Sequence, residues 1–346
     1  MKLLLMSVQS EQSRGGIATW TARFLDACEA HGISYTLVNT ETVGKRQTQG
    51  TARRSALDEF VRTRRIFRDL RAALKQGKYD AAHLNTSCGT FGLFRDLIVA
   101  KRIRRKGIRT VTHFHCDIPY WIHNPLSRWA LGRLVALSDV RLVLCENSRL
   151  YLEKTFGASS EKIPNFLDDN MIRADEKPVA DTISTAFFVG RVSEAKGARE
   201  LYELASRLPH ITFRLAGAPS DTVAAWSKPE NVVLVGSLPH AEVLSEMDRA
   251  DVFIFPSHSE GFSLALTEAM ARGLPSVATD VGANADMLAD GCGFVVKKGD
   301  VDGMVAAVEA LADPETRREV SRRAAEKARR AYATDVIVEQ IRSYYL

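Results

Sequence analysis

The sequence predicts an α/β protein made of two doubly wound, parallel-sheet units. Three observations carry this: short apolar runs alternate with helical stretches along all 346 residues, the runs are too many for one sheet, and a polar stretch without periodicity, 170–181, separates two sets of them. A chain of this length is also longer than one compact domain ordinarily needs.

In the first half, the runs at 3–8, 35–39, 81–85, 110–114 and 140–144 read as strands, with helical patterns at 18–30 and 57–74. Such alternation means parallel sheets covered on both faces. In the second half, the runs at 185–189, 212–216, 232–235, 252–255, 276–279 and 294–296 repeat the pattern, with helical stretches at 201–208 and 301–312. The end of the chain, 314–346, reads as almost continuous helix, and Pro314 suits a first helical turn. The seam follows IPNFLDD at 163–169, so a first domain is expected at 1–165, a linker at 170–181 and a second domain at 182–332. No repeat or low-complexity tract points to a solenoid.

The composition, 45% hydrophobic and 26% charged, is that of a soluble globular protein. The five cysteines (28, 88, 116, 145 and 292) include no CxxC and are odd in number, which argues against a disulfide framework or zinc site and for a reducing cytosol. MKLLLMSV is too short for a signal-peptide core, and no apolar run approaches the roughly 20 residues of a membrane span. The expectation is a cytoplasmic protein, at most peripheral at the inner face of a membrane. Net charge is only +5, yet residues 1–165 carry roughly +13 and 166–346 roughly −8. The excess lies mainly at 62–78 and 101–109. Either segment alone reads equally as a solvated helix face; together they favour an anionic partner, whether membrane surface, lipid-linked phosphate or nucleic acid.

The most informative stretch is EGFSLALTE, Glu260 to Glu268, after the apolar run 252–255 and Pro256. Glu260 closes a loop, Gly261 admits close backbone approach, and Ser263 opens a helix through Ala271. A helix N-terminus offers unpaired N–H groups to a phosphate, and Glu268 on that helix can reach hydroxyls. Two hydroxyl-binding carboxylates beside a phosphate cradle suit a nucleotide-sugar, and the loop follows a strand's carboxyl end, where open sheets bind ligands. Plain helix capping is the competing explanation of the same spacing.

Other candidates are weaker singly. Gly15-Gly16 is either a backbone cradle before the first helix or an ordinary strand-to-helix turn, and it is no dinucleotide fingerprint. Arg191 and Lys196 flank a loop after the strand 185–189 and suit a diphosphate, or are solvated loop charges. His113, His115 and Asp117 follow the strand 110–114; no further pair completes a metal set, so one of them is either a polar contact to a sugar or a structural histidine. Asp300 and Asp302 form a D-x-D, read as helix capping rather than metal ligation.

Taken together and in order, GGI at 15–17, the His115 region, IPN at 163–165, VGR…KG at 189–197 and SEGFSLALTEAMARGLPSVAT at 259–279 resemble the retaining glycosyltransferases of family 4, with the GT-B fold. The last segment is highly specific; the others inform as a set. The resemblance implies two Rossmann-like domains facing across a cleft, the second holding the nucleotide-sugar donor, the first choosing the acceptor, and the C-terminal helix 333–346 returning to the first. It implies donor diphosphate on Arg191 and Lys196, ribose on Glu268, and the transferred sugar on Glu260. The backbone of Gly261, Phe262 and Ser263 would hold sugar and phosphate, Gly15 and Gly16 would close over the donor, and His115 would touch the sugar. Glu260, His115, Arg191 and Lys196 are the implied catalytic set. Transfer would retain configuration and need no metal and no cofactor beyond the nucleotide-sugar co-substrate, UDP-linked in preference to GDP-linked. The expected acceptor is a saccharide or lipid-linked saccharide in bacterial surface polysaccharide or lipopolysaccharide synthesis.

Against this stand a non-catalytic nucleotide-sugar or polyanion-binding protein, which would be expected to lose some of Glu260, Glu268, Arg191 and Lys196, and a sugar-nucleotide epimerase or phosphorylase on a related fold. Nucleic-acid binding explains the basic half but not the second-half site, so nucleic acid is not an expected partner.

Overall fold

The computed structural model describes residues 1–10, 15–43 and 55–346. The chain divides into two compact units, Met1–Phe166 with Thr334–Leu346, and Leu167–Ala333.

The first unit runs β1 (Lys2–Ser7), α1 (Gly16–Cys28), β2 (Ser34–Asn39), α2 (Ala56–Gln76), β3 (Ala81–Thr86), α3 (Thr90–Arg104), β4 (Arg109–Phe114), a helical turn Ile118–Trp121, α4 (Pro125–Leu137), β5 (Val140–Val143), α5 (Glu146–Phe156) and the two-residue β6 (Glu161–Lys162). The strands pair in parallel in the order β2-β1-β3-β4-β5-β6, so the connections reverse direction between β1 and β3. Every residue of β3 is buried, as expected where helices cover both faces. α2, α3 and α4 pack on one face through Ile66, Leu70, Ile103 and Leu131. On the other, α1 and the last helix, Thr334–Ser343, bring Trp20, Phe24, Ile337 and Ile341 against Leu3, Leu5 and Val111.

The second unit runs β7 (Thr185–Val189), a 3-10 turn Glu194–Lys196, α6 (Ala198–Arg207), β8 (Thr212–Ala216), β9 (Val232–Gly236), α7 (His240–Arg249), β10 (Val252–Phe255), α8 (Leu264–Ala271), β11 (Ser276–Thr279), β12 (Phe294–Val296), α9 (Val301–Ala310) and α10 (Pro314–Ala331), with short turns at Asp221–Ala224 and Asn284–Leu288. Its parallel order is β12-β11-β10-β7-β8-β9. The winding therefore changes direction between β7 and β10, and the carboxyl ends of those neighbours define the crevice where such sheets bind ligands.

The stretch 314–346 is almost continuous helix, as the sequence reads, with a short break between Ala331 and Thr334 where Leu167 pairs with Ala333 as an isolated bridge. One sequence reading changes: the polar segment 170–181 is not a free linker. The Arg173 N–H donates to the Ala271 carbonyl (3.0 Å), and the buried Lys177 ammonium donates to the carbonyls of Met247 (3.1 Å) and Asp248 (2.5 Å), so the segment belongs to the second unit. Burial lowers the Lys177 pKa to about 8. Its lack of periodicity reflects packing by backbone and single side chains rather than by an amphipathic face.

Among the described residues no helix is long and apolar enough to cross a membrane. The basic segment 62–78 lies on α2 and just beyond, and 101–109 spans the end of α3 to the start of β4. Part of that charge is used locally: Arg62 donates to the Thr40 carbonyl, Arg65 to the Glu41 carbonyl and Arg109 to the Tyr344 carbonyl, while Arg104 pairs with Asp139 at 3.0 Å.

Candidate functional site

The switch point of the second sheet brings two loops together. After β7 the chain passes Gly190 and Arg191, then makes the turn Glu194–Lys196, whose last residue is followed by Gly197 at φ +80°. A Cβ on Gly197 would stand 2.2 Å from the carbonyl oxygen of Pro256 in the loop after β10, so only glycine lets the loops touch here. The His258 N–H fastens the same contact by donating to the Ala195 carbonyl at 3.0 Å, and the His258 Nε2 meets Glu200 Oε1 at 2.7 Å.

This juxtaposition sets the Lys196 Nζ 2.5 Å from Glu260 Oε1. Ser257 donates its hydroxyl to the same oxygen at 2.6 Å, and Thr279 Oγ1 on β11 holds the Ser257 carbonyl at 2.5 Å. Glu260 is thus fixed through one oxygen, while Oε2 accepts no hydrogen bond among the described residues. A partly buried charge-assisted pair of this kind orients both groups more firmly than a surface ion pair does. Lys196 also lies 5.9 Å from the Phe255 ring centroid. Arg191 is exposed, and its guanidinium makes no ion pair or hydrogen bond among the described residues.

Ser263 caps α8, its Oγ accepting from the Leu266 N–H at 3.1 Å. The N–H groups of Gly261, Phe262, Ser263, Leu264 and Ala265 find no acceptor among the described residues, leaving a run of donors at a positive helix end. Beneath them the Phe262 ring is buried edge-on to Tyr332, centroids 5.5 Å apart, so Phe262 presents backbone rather than side chain at this surface. Gly282 backs the loop, since a Cβ there would lie 2.3 Å from the Glu260 carbonyl oxygen. Glu268, on the first turns of α8, is 7% exposed and meets His240 Nε2 at 3.1 Å. Its carboxylate is held inside the unit, where a ligand hydroxyl has to share it with the imidazole.

The first unit has its own polar grouping at its switch point. Asn85, at the end of β3, donates Nδ2 to Ser7 Oγ on β1 at 2.8 Å, and Ser7 bonds Thr21 Oγ1 on α1 at 2.5 Å. Asn85 Oδ1 accepts from His83 Nε2 (3.0 Å) and His115 Nε2 (2.9 Å). Because the amide oxygen only accepts, each imidazole carries its proton on Nε2, and His83 Nδ1 takes the Tyr345 hydroxyl at 2.7 Å. Burial pushes the pKa of His83 and of His115 down to about 3, so both are neutral at pH 7 and His115 Nδ1 is an unprotonated acceptor. His113 is fully buried with neither nitrogen partnered among the described residues, packed 4.0 Å from the His115 ring and edge-on to Trp20; burial, then the neighbouring imidazoles, lowers its pKa well below the usual range. Of the two readings of this His pair, His113 is the packing residue. Gly15 and Gly16 are exposed at the N-terminus of α1, and a Cβ on Gly16 would meet nothing within 4 Å. Of the segment between β1 and Gly15, residues 11–14 lie outside the described residues.

Asp300 caps α9 through the Gly303 N–H at 2.8 Å, and Asp302 pairs with Arg207 at 2.6 Å. Among the described residues no three His, Cys, Asp or Glu side chains are grouped to hold a metal. Asp117 precedes the turn Ile118–Trp121 without a side-chain capping bond, and its carboxylate accepts from the Cys145 sulfur at 3.7 Å; burial raises its pKa. Sequence reasoning did not find Ser257, Thr279, His258 with Glu200, or Asn85. Each supports a functional group rather than presenting one, and only the folded sheet order reveals that work.

The sequence family described as Glycosyltransferase Family 4 matches residues 14–170, and that described as Glycosyl transferases group 1 matches 172–330. The capsular polysaccharide biosynthesis glycosyltransferase CapM of Staphylococcus aureus is 26% identical over 52% of this chain and 50% of its own length. The phosphatidyl-myo-inositol mannosyltransferase of Mycolicibacterium smegmatis is 30% identical over 65% and 59%. The matches thus span less than two thirds of these relatives. The sucrose-phosphate synthase of Thermosynechococcus elongatus shares the fold at a TM-score of 0.80 and 18% identity, covering 99% of this chain and 98% of its own. HepE of Anabaena, solved with UDP-glucose, does so at 0.72 and 16%, covering 99% and 98%. With two Rossmann-like sheets and two matches that adjoin from residue 14 to residue 330, the chain belongs to the group 1 glycosyltransferases of family 4.

Proposed function

We propose that the protein transfers a sugar from a nucleotide-sugar to a saccharide or lipid-linked acceptor, with retained configuration and without a metal. The observation that carries this reading is the Lys196–Glu260 pair at the β7/β10 switch point, beside the five unpaired N–H groups that open α8. Diphosphate bound there has donors for its oxygens and two nearby cations, Arg191 and Lys196. As the anomeric carbon–oxygen bond to the diphosphate breaks, the charge gathering on the leaving oxygen is met by groups already in place. Lys196 and Ser257 hold Glu260 so that its free oxygen accepts a sugar hydroxyl and orients the ring. Glu268 takes the ribose hydroxyls. In the first unit, neutral His115 offers Nδ1 as an acceptor to a sugar hydroxyl, Asn85 fixing the ring.

UDP is the preferred nucleotide, supported by the UDP-glucose complex of HepE; GDP is the competing one. Capsule synthesis in CapM and a phosphatidyl-inositol acceptor in the mycobacterial relative support an acceptor in surface polysaccharide, lipopolysaccharide or glycolipid assembly, met at the cytoplasmic face of a membrane.

The test is a scan of UDP-, GDP- and ADP-sugars for slow donor hydrolysis by the purified protein, with Glu260→Ala and Lys196→Ala beside it. Hydrolysis of one donor, lost in both variants, supports the site and names the sugar. Binding without turnover, with or without added acceptors, favours a nucleotide-sugar-binding protein. No binding of any donor refutes the assignment.

A further inference from the structure

The large apolar side chains left exposed are unevenly distributed. Most lie between residues 57 and 129, in the first unit, among them Phe60 (64% exposed), Phe91 (68%), Trp121 (49%), Leu126 (57%) and Trp129 (54%). They occupy the opening turns of α2, α3 and α4 and the turn Ile118–Trp121. Helices that link parallel strands all begin at the carboxyl edge of the sheet, so these side chains share one rim. The three helices lie side by side: Arg102 of α3 stacks on Phe67 of α2 at 4.3 Å, and Phe94 of α3 stacks on Trp129 of α4 at 6.2 Å.

Beside that rim a groove of about 850 Å³ runs along α4 to the chain after α5, with Ile122, Trp129 and Phe156 on its walls. Arg128 and Arg133 also line it, and neither guanidinium has an ion pair or hydrogen bond among the described residues. Arg141, the third cation there, is consumed by the carbonyls of Ser159, Val135 and Ser138. Among the described residues no Asp or Glu lines the groove, and the sequence holds none from 118 to 138. Exposed indole and phenol rings beside unpaired guanidiniums, with no carboxylate to repel phosphate, are the chemistry of a membrane headgroup layer.

We propose that this rim and groove dock the protein on an anionic phospholipid surface. Trp121, Leu126 and Trp129 enter the boundary between headgroups and acyl chains, and Arg128 and Arg133 pair with lipid phosphates. The proposal deepens the lipid-linked acceptor reading and rests on it only for the purpose of docking. It also moves the membrane contact away from the basic segments 62–78 and 101–109 to residues that net charge does not single out.

The test is flotation of the full chain with vesicles of phosphatidylcholine alone and with about one third phosphatidylglycerol. The wild type is expected to float with the anionic vesicles at low salt, with a blue shift of tryptophan emission. The pair Arg128→Ala with Arg133→Ala should weaken binding about tenfold or more and flatten its salt dependence. The pair Trp121→Ser with Trp129→Ser should weaken it at every salt concentration. Arg71→Ala with Lys75→Ala on α2 should leave it within about twofold. All these residues are polar or surface-exposed, and a cooperative melt verifies each variant's fold. Wild-type protein that does not float, or binding lost with the α2 pair and unchanged in the other two, overturns the proposal. So does capture by single-stranded nucleic acid in preference to anionic vesicles. Donor hydrolysis is read without vesicles, so failure of docking and failure of the transferase assignment are seen separately.

Discussion

Lys196 Nζ and Glu260 Oε1 stand 2.5 Å apart across the β7/β10 switch point, and each reaches that position from a different loop. Ser257 also holds the carboxylate, and the ammonium reaches it from the turn Glu194–Lys196. Replacing either with Ala removes one charge of the proposed donor site and releases its partner. Donor turnover should fall by about 10²–10³ in each, the range for losing one preorganised electrostatic contact. The double variant should fall by much less than the product, because the two act as one unit. Steady-state donor hydrolysis checks this; additive losses would mean that the pair is not coupled in function.

Gly197 carries the loop contact on backbone alone. At φ +80°, with the Pro256 carbonyl 2.2 Å from where a Cβ would sit, Gly197→Ala forces the two loops apart. A loss of about 1–3 kcal/mol in stability is expected, together with a fall in turnover from displaced Lys196. Chemical denaturation and donor hydrolysis on the same sample check this. An unchanged midpoint would show that the loops relax without cost.

These outcomes bear on what could be read from the chain itself. The strands 185–189, 212–216, 252–255, 276–279 and 294–296 were legible to the residue because each is a short, mostly apolar run that ends sharply at Gly, Pro or a charged residue. Ser263 as the cap of a helix through Ala271 was legible for the same local reason. Strand order was not, since it depends on contacts far apart in sequence, and with it went Ser257, Thr279 and the His258–Glu200 contact. The segment 170–181 misled because a buried lysine among carbonyls leaves no periodic trace. His113 and His115 look alike at a spacing of two, and only burial separates a packing imidazole from one held by Asn85.

The three imidazoles of the first unit make its stability depend on pH. His83 and His115 have folded pKa values near 3, and His113 lies well below its ordinary value, whereas an unfolded histidine titrates near 6.5. Between about pH 6.5 and 3 the unfolded chain binds more protons, so this contribution is fully present above pH 6.5 and is lost as pH falls. The loss should reach on the order of 1 kcal/mol per pH unit for each buried imidazole. His113 has no side-chain hydrogen bond to lose among the described residues, so His113→Phe should gain stability relative to wild type as pH drops from 7 to 5. Urea unfolding at the two pH values checks this. Equal pH slopes in variant and wild type would show that the buried His113 does not charge on unfolding.

Arg191 offers the last test, because it separates cation chemistry supplied by side chains from chemistry supplied by a metal. Its guanidinium is exposed and unpaired among the described residues, and it leaves β7 on the loop that carries Lys196. If Arg191, Lys196 and the N–H groups before α8 stabilise the departing diphosphate, turnover should be unchanged by excess chelator. Arg191→Ala should then lower turnover about 10²-fold, while Arg191→Lys recovers only part of it, because an ammonium cannot grip two phosphate oxygens in a planar fork. Stability should stay within about 0.5 kcal/mol of wild type, as for a surface residue without partners. Activity abolished by chelator and restored by a divalent cation would put the leaving-group charge on a metal instead, and Arg191→Ala would then cost little.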